Sequence, residues 1–162
     1  MASADPSAKA LTVRCQCGNV SFPTPSAPRI ALFHCHCTEC QKQSGSAFGT
    51  SAIYPAAGLF PLSPALESKL GCYVRSTDKK DGTLMRCWFC RACGSRLFHR
   101  LVEPDGSPHG TVSIKGGCIK GLDWAGGKHI YMRSAVVNVP EGTEHYDTLP
   151  PGEEMQREEP CK

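Results

Sequence analysis

Phe33-His34-Cys35-His36-Cys37-Thr38-Glu39-Cys40-Gln41-Lys42-Gln43-Ser44-Gly45 places Cys35, Cys37 and Cys40 close enough in the chain for all three sulfurs to turn toward one metal ion. Thiolate sulfur suits zinc, and tetrahedral zinc takes four donors. The stretch offers three cysteines, which leaves the fourth place to His34, His36, Glu39, a distant residue or an incoming molecule. Two further pieces lie on either side: Cys15-Gln16-Cys17-Gly18 near the start and Cys90-Arg91-Ala92-Cys93-Gly94 downstream. Together these supply a complete four-thiolate cage. Cys90-x-x-Cys93-Gly94 has the form of a zinc knuckle, in which the glycine lets the backbone turn tightly and aim its amides at sulfur. The pattern CxC, CxCxxC, CxxC therefore predicts two zinc ions per chain, one caged and one with a place to spare.

Disulfides are the competing reading. Cysteines one apart on an extended strand point to opposite faces, and a chain of 162 residues needs no such staples. The odd total of 11 cysteines also suits thiolate ligands in a reducing compartment. Cys72, Cys87, Cys118 and Cys161 are scattered and read as inert. Cys87-Trp88-Phe89-Cys90 makes a second CxxC, but on one strand an odd separation turns Cys87 away from the cage.

The length suits one domain with a real core, to which zinc adds folding energy directly. The 18 basic and 15 acidic residues, net charge +3, are spread along the chain without a basic stripe, which disfavours nucleic acid as a partner. No secretion signal and no apolar run of membrane-spanning length is evident, so a soluble, cytoplasmic chain is expected.

In order, residues 1–10 read as a disordered start, and residues 11–139 as the zinc-binding domain. Strands are expected at Leu11–Cys15, Asn19–Phe22, Arg29–His34, Ser46–Tyr54, Lys69–Ser76, Thr83–Phe89, Ser95–Val102, Gly110–Lys115 and His129–Arg133. Thr38 is expected to cap one short helical turn through Lys42. The Pro- and Gly-punctuated segment up to Pro64 should hold no helix. The Glu- and Pro-rich tail, 140–162, reads as loose. This is an all-β domain of antiparallel sheets with little helix.

The order Cys15-x-Cys17-Gly18, Cys35-His36-Cys37-x-x-Cys40-x-x-x-Ser44-Gly45-x-Ala47-Phe48, Phe89-Cys90-x-x-Cys93-Gly94-Ser95-x-Leu97-Phe98 resembles the glutathione-dependent formaldehyde-activating enzyme family, whose domain is shared with chromosome-associated CENP-V relatives. Gly121-Leu122-Asp123 and His129-Ile130 extend the likeness. It implies an Mss4-like fold with zinc-ribbon-like metal hairpins. It also implies a structural zinc at Cys15, Cys17, Cys90 and Cys93, a catalytic zinc at Cys35, Cys37 and Cys40, and carbon-sulfur lyase chemistry on S-hydroxymethylglutathione. Glutathione is then a candidate co-substrate. Trp124-Ala125-Gly126-Gly127-Lys128, where relatives commonly carry a proline, and Val136-Val137-Asn138-Val139-Pro140, which lacks a frequent tryptophan, depart from the pattern on the substrate side.

His36 is the first candidate for the proton carrier, by its place inside the cluster, followed by Glu39, His34, His99 and His129. Ser44, Gly45, Ser46 and Ser95 are expected to hydrogen-bond thiolates. Trp88 and Phe98 read as core. The competing functions are a lyase or dehydratase on a non-glutathione intermediate, and a non-catalytic zinc module with a macromolecular partner. An exposed strand edge would also permit a homodimer.

Overall fold

The computed structural model describes residues 9–26, 28–77 and 81–151. Its strands are β1 (Thr12–Arg14), β2 (Ser21–Pro23), β3 (Ala31–Cys35), β4 (Gly49–Pro55), β5 (Leu70–Ser76), β6 (Leu84–Cys90), β7 (Arg96–Val102), β8 (Thr111–Lys115), β9 (Ile119–Lys120) and β10 (Lys128–Ile130). The helices are α1 (Thr38–Ser44) and α2 (Pro64–Glu67), with three 3-10 turns at Ala56–Gly58, Gly116–Cys118 and Met132–Ser134. The expected all-β class holds. The chain divides into two compact units, one made of residues up to Ala31 with Ser51–Asp123, the other of Leu32–Thr50 with residues from Trp124 onward.

In the first unit β1 pairs antiparallel with β2 and with β9, while β4 and β8, β8 and β7, β7 and β6, and β6 and β5 pair antiparallel in turn. Alternation puts Tyr54, Phe98, Val112 and Ile114 inside, each at most 2 % exposed. The Phe98 ring stacks on Trp88 at 5.0 Å between centroids and meets Phe22 edge-on at 5.7 Å, so both expected core aromatics pack inward. The β6–β7 ladder shifts register between Trp88 and Phe89, skipping Leu97. The turns that carry Cys15, Cys17, Cys90 and Cys93 both lie in this unit.

The segment before Pro64 does hold helical structure, against expectation. Ala56–Gly58 forms a 3-10 turn, and α2 begins with Pro64 in its first turn. A proline there lacks an N–H that would have had no partner, so it starts a helix rather than breaking it. The Ser63 hydroxyl accepts from the Leu66 amide at 3.3 Å and caps that turn.

In the second unit β10 lies parallel to β3, pairing His129 with His34 and Ile130 with Cys35, an exception to the antiparallel rule. The strand expected over His129–Arg133 stops at Ile130, because Tyr131 adopts a left-handed conformation with φ 59° and turns the chain into Met132–Ser134. The stretch after Pro140, read as loose, is tied here: the His129 amide donates to the Glu144 carbonyl at 2.9 Å, and the Tyr146 amide to the His129 carbonyl at 2.8 Å. Residues 152–162, with Cys161, lie outside the described residues, as do residues 1–8 of the expected disordered start.

Candidate metal centres

The Cys15-Gln16-Cys17-Gly18 tip closes β1 toward β2. The Gly18 amide donates to the Cys15 carbonyl and the Cys15 amide to the Val20 carbonyl, both at 3.1 Å. Gly18 takes φ +79° there, which a side chain would resist. The Val20 amide then points at the Cys15 sulfur, 3.2 Å away. Far along the chain, the Cys90 amide donates to the Ser95 carbonyl and the Gly94 amide to the Cys90 carbonyl, both at 2.9 Å. Gly94 sits at φ +74°. This knuckle brings Cys90 and Cys93 to the first tip, so that the sulfurs of Cys15, Cys17, Cys90 and Cys93 all lie within 4.8 Å of one another.

The spacing distinguishes metal from disulfide. A tetrahedron with metal–sulfur bonds near 2.3 Å has sulfur–sulfur edges of about 3.8 Å, against about 2.05 Å for a disulfide. Cys15 and Cys17 sulfurs are 3.6 Å apart, and those of Cys17 and Cys90 3.9 Å. Every described cysteine is a free thiol. Cys87 donates to the Met85 carbonyl and stands outside both groups.

Electrostatics point the same way. Cys93 is held down at about 5 by the Ser95 hydroxyl and by the amides of Cys17 and Ser95. Cys17, although the Asn19 amide favours its thiolate, is driven up to about 11 by the neighbouring sulfurs of Cys93 and Cys15. Four thiols this close cannot all ionise without a cation among them. The donor set suits zinc.

The second group is built on α1. Cys35 ends β3, Cys37 stands at the N-cap and Cys40 sits inside the first turn. The cap is Cys37 itself, not Thr38: its sulfur accepts from the Cys40 amide at 3.4 Å. One face of a seven-residue helix is too short to persist alone. Gln41 anchors it, donating from Nε2 to the carbonyls of His36 at 2.7 Å and Ser134 at 2.8 Å. The three sulfurs lie within 4.8 Å of one another, and among the described residues no His, Asp or Glu joins them as a fourth donor. Cys35 is pushed far upward by the Cys37 and Cys40 sulfurs and by burial, again the mark of thiols waiting for a cation.

Three imidazoles of the same unit gather beside this group. His36 Nε2 and His129 Nδ1 share a hydrogen bond of 2.8 Å, and His34 Nδ1 bonds the Thr50 hydroxyl at 2.9 Å. The Phe48 ring touches all three, and Trp124 lies parallel to His34 at 6.4 Å. Gly127 is required here, since a methyl group on it would collide with His34 Nε2. His36 is fully buried and its Nδ1 has no hydrogen-bond partner, whereas His129 is half-buried. Of the other candidates, Glu39 pairs with Lys42 on the surface, and His99 belongs to the first unit.

Sequence reasoning found Ser95, whose hydroxyl lies 3.2 Å from the Cys93 sulfur and accepts from the Gln16 amide. Ser44 instead donates to the Cys40 carbonyl at 2.7 Å, and Gly45 ends the helix at φ 58°. The residue it missed is Gln43, which donates from Nε2 to the Cys40 sulfur at 3.2 Å. Its place one turn after Cys40 was the available signal.

Burial lowers His34 and His36, and lowers His129 from 6.5 to about 4 with help from the charges of His34, His36 and His145. The unfolded chain therefore takes up protons that the folded one refuses. Stability present above 6.5 should drain away as the pH falls toward about 4. Thermal midpoints measured across that window should fall less steeply in His129→Phe than in the unaltered protein. Identical slopes would contradict the assignment.

Among the described residues no helix is long and apolar enough to cross a membrane. No curated protein matches the chain. The family model for the glutathione-dependent formaldehyde-activating enzyme matches residues 10–134, a span holding both cysteine groups and all three clustered histidines. That match, over most of the sequence and across both thiol groups, places the chain in the glutathione-dependent formaldehyde-activating enzyme family.

Proposed function

We propose that the chain is a zinc-dependent carbon-sulfur lyase acting on a small thiol adduct of the S-hydroxymethylglutathione kind. The observation that carries this reading is the three-sulfur group of Cys35, Cys37 and Cys40 with the His36–His129 pair in the same unit. In this reading those three cysteines hold one zinc, and Cys15, Cys17, Cys90 and Cys93 hold another. Zinc in the three-thiolate site supplies an open position that favours a bound thiolate over a thiol.

The chain's own groups handle the proton. In the cleavage direction His129 takes the adduct's hydroxyl proton at Nε2, the oxygen's electrons form the carbonyl, and the carbon-sulfur bond breaks with its pair on sulfur. His36, bonded at the opposite nitrogen of that ring, holds His129 in the required orientation and tautomer. Its burial keeps it from meeting substrate directly, so its action passes through His129. Gln43 steadies the charge on Cys40 by donating to its sulfur. Phe48 packs against the imidazoles and keeps water from their faces.

The unusual Trp124-Ala125-Gly126-Gly127 segment, set against His34, favours a second reading in which the same chemistry serves a small molecule other than glutathione. Zinc content with X-ray absorption, before and after adding glutathione, tests both. Two zincs per chain are expected, one with four sulfurs and one with three, the latter gaining a sulfur when glutathione binds. A three-sulfur site indifferent to glutathione would remove glutathione as co-substrate, and a single zinc would overturn the proposal.

A further inference from the structure

The two tryptophans of the chain sit in opposite surroundings: Trp88 is 8 % exposed in the core of the first unit, whereas Trp124 is 50 % exposed in the second. Tryptophan carries the largest apolar surface of any side chain and is strongly buried on average. An indole left half bare beside a cluster of imidazoles is therefore a surface on which another flat group gains by stacking.

The local backbone is built to hold it there. Gly126 turns with φ +70°, and Gly127 comes so near His34 that a methyl group on it would collide with the imidazole. The same loop lays the Trp124 ring over that imidazole, parallel to within 6° and 6.4 Å away between centroids. That distance belongs to an offset stack, in which two rings overlap only in part. The imidazole beneath is itself fixed, by the Thr50 hydroxyl at 2.9 Å and by Phe48 edge-on at 5.6 Å. Its other neighbour is His129, which the β10–β3 ladder sets opposite His34 with 4.7 Å between ring centroids.

We propose that Trp124, seated on His34, selects the substrate by stacking an aromatic ring, so that the preferred adduct is the one a thiol forms with an aromatic aldehyde rather than with formaldehyde. The inference rests on the lyase reading above, in which the adduct's sulfur belongs to the Cys35, Cys37 and Cys40 group and its hydroxyl to His129. The carbon between them carries one more substituent besides hydrogen, and the aromatic surface beside His129 is that of His34 and Trp124. Formaldehyde offers only a second hydrogen at that place and leaves the indole bare; an aryl group covers it. The bonds change as before: the hydroxyl proton goes to His129, the carbon-sulfur pair stays on sulfur, and an aromatic aldehyde and a thiol depart.

Two measurements on zinc-loaded, full-length protein test this. In the first, NMR follows exchange of the benzaldehyde and acetaldehyde adducts, which differ in phenyl for methyl, formed with glutathione and, in parallel, with 2-mercaptoethanol. The benzaldehyde adduct should show the higher kcat/KM by about tenfold, the order expected for one aromatic pair. Trp124→Ala should remove that advantage, chiefly through KM, and Trp124→Phe should restore most of it. In the second, protein labelled with ¹⁵N at the indoles is titrated with benzyl alcohol, which keeps the adduct's ring and hydroxyl but lacks its sulfur, and with ethanol as the control. The Trp124 signal, identified by its loss in Trp124→Phe, should shift saturably with benzyl alcohol alone while the Trp88 signal stays. Exchange without aromatic preference, or a Trp124 signal that benzyl alcohol does not move, would overturn the inference. Equal losses on both adducts in Trp124→Ala would do the same, by making the indole only a cover for His34. A saturable Trp124 shift in a protein that exchanges no adduct would instead overturn the lyase reading, and the substrate with it, but not the stacking surface.

Discussion

Cys93→Ser is expected to leave the protein largely unfolded, with its caged zinc lost. Cys93 closes a group whose partners come from residues 15, 17 and 90, so its sulfur helps join two turns that no main-chain ladder connects directly. Hydrogen bonds from Ser95 and two amides hold its thiol down at about 5, making it the group's readiest thiolate. Serine offers zinc no comparable donor at neutral pH. A structural zinc contributes about 10–16 kcal/mol in small zinc-folded peptides, while whole domains are stable by only about 5–15 kcal/mol. Losing most of the first figure would use up the second. Metal analysis should show at least one zinc fewer per chain, and circular dichroism should show the cooperative thermal transition gone. A Cys93→Ser protein that melts normally with its full zinc complement would refute the cage. Cys72→Ser, at an exposed thiol outside both groups, serves as the control and should melt like the unaltered chain.

The strands and both cysteine groups were legible in the sequence because their signals are local. Alternation marked β5 to β8 to within a residue or two, and CxC or CxxC spacing ties sulfurs to single tight turns. The histidine arrangement was not legible. His36 and His129 are far apart in the chain, and they meet only because β10 runs parallel to β3 and sets His129 beside His34. Nothing in the residues of either strand announces parallel pairing. The left-handed Tyr131 was equally hidden, because that conformation is expected of glycine or asparagine rather than an aromatic. The short helix at Pro64–Glu67 was lost to reading proline as a breaker when its position in the first turn made it a starter.

Cys37→Ser should abolish turnover while leaving a folded chain with one zinc. The argument rests on the double duty of Cys37, which is both a member of the three-sulfur group and the N-cap of α1. Serine is among the best N-cap residues, and its hydroxyl can accept from the Cys40 amide as the sulfur does now. The substitution therefore removes a metal donor and preserves the helix start. With two sulfurs left, the second ion should be lost. Altering groups that merely support metal ligands commonly costs 10–100-fold, so loss of a ligand should lower kcat/KM by more than about 100-fold, or about 2.7 kcal/mol in the barrier. Cys37→Ala separates the two roles. It should lose the same zinc and activity, and in addition destabilise the chain by about 1 kcal/mol through the missing cap. Exchange of S-hydroxymethylglutathione with formaldehyde and glutathione, followed by NMR line shapes, reads the activity, and zinc content reads the site. Wild-type exchange in a Cys37→Ser protein would mean that the chemistry happens elsewhere. Equal melting of the serine and alanine variants would mean that the sulfur is not what starts the helix.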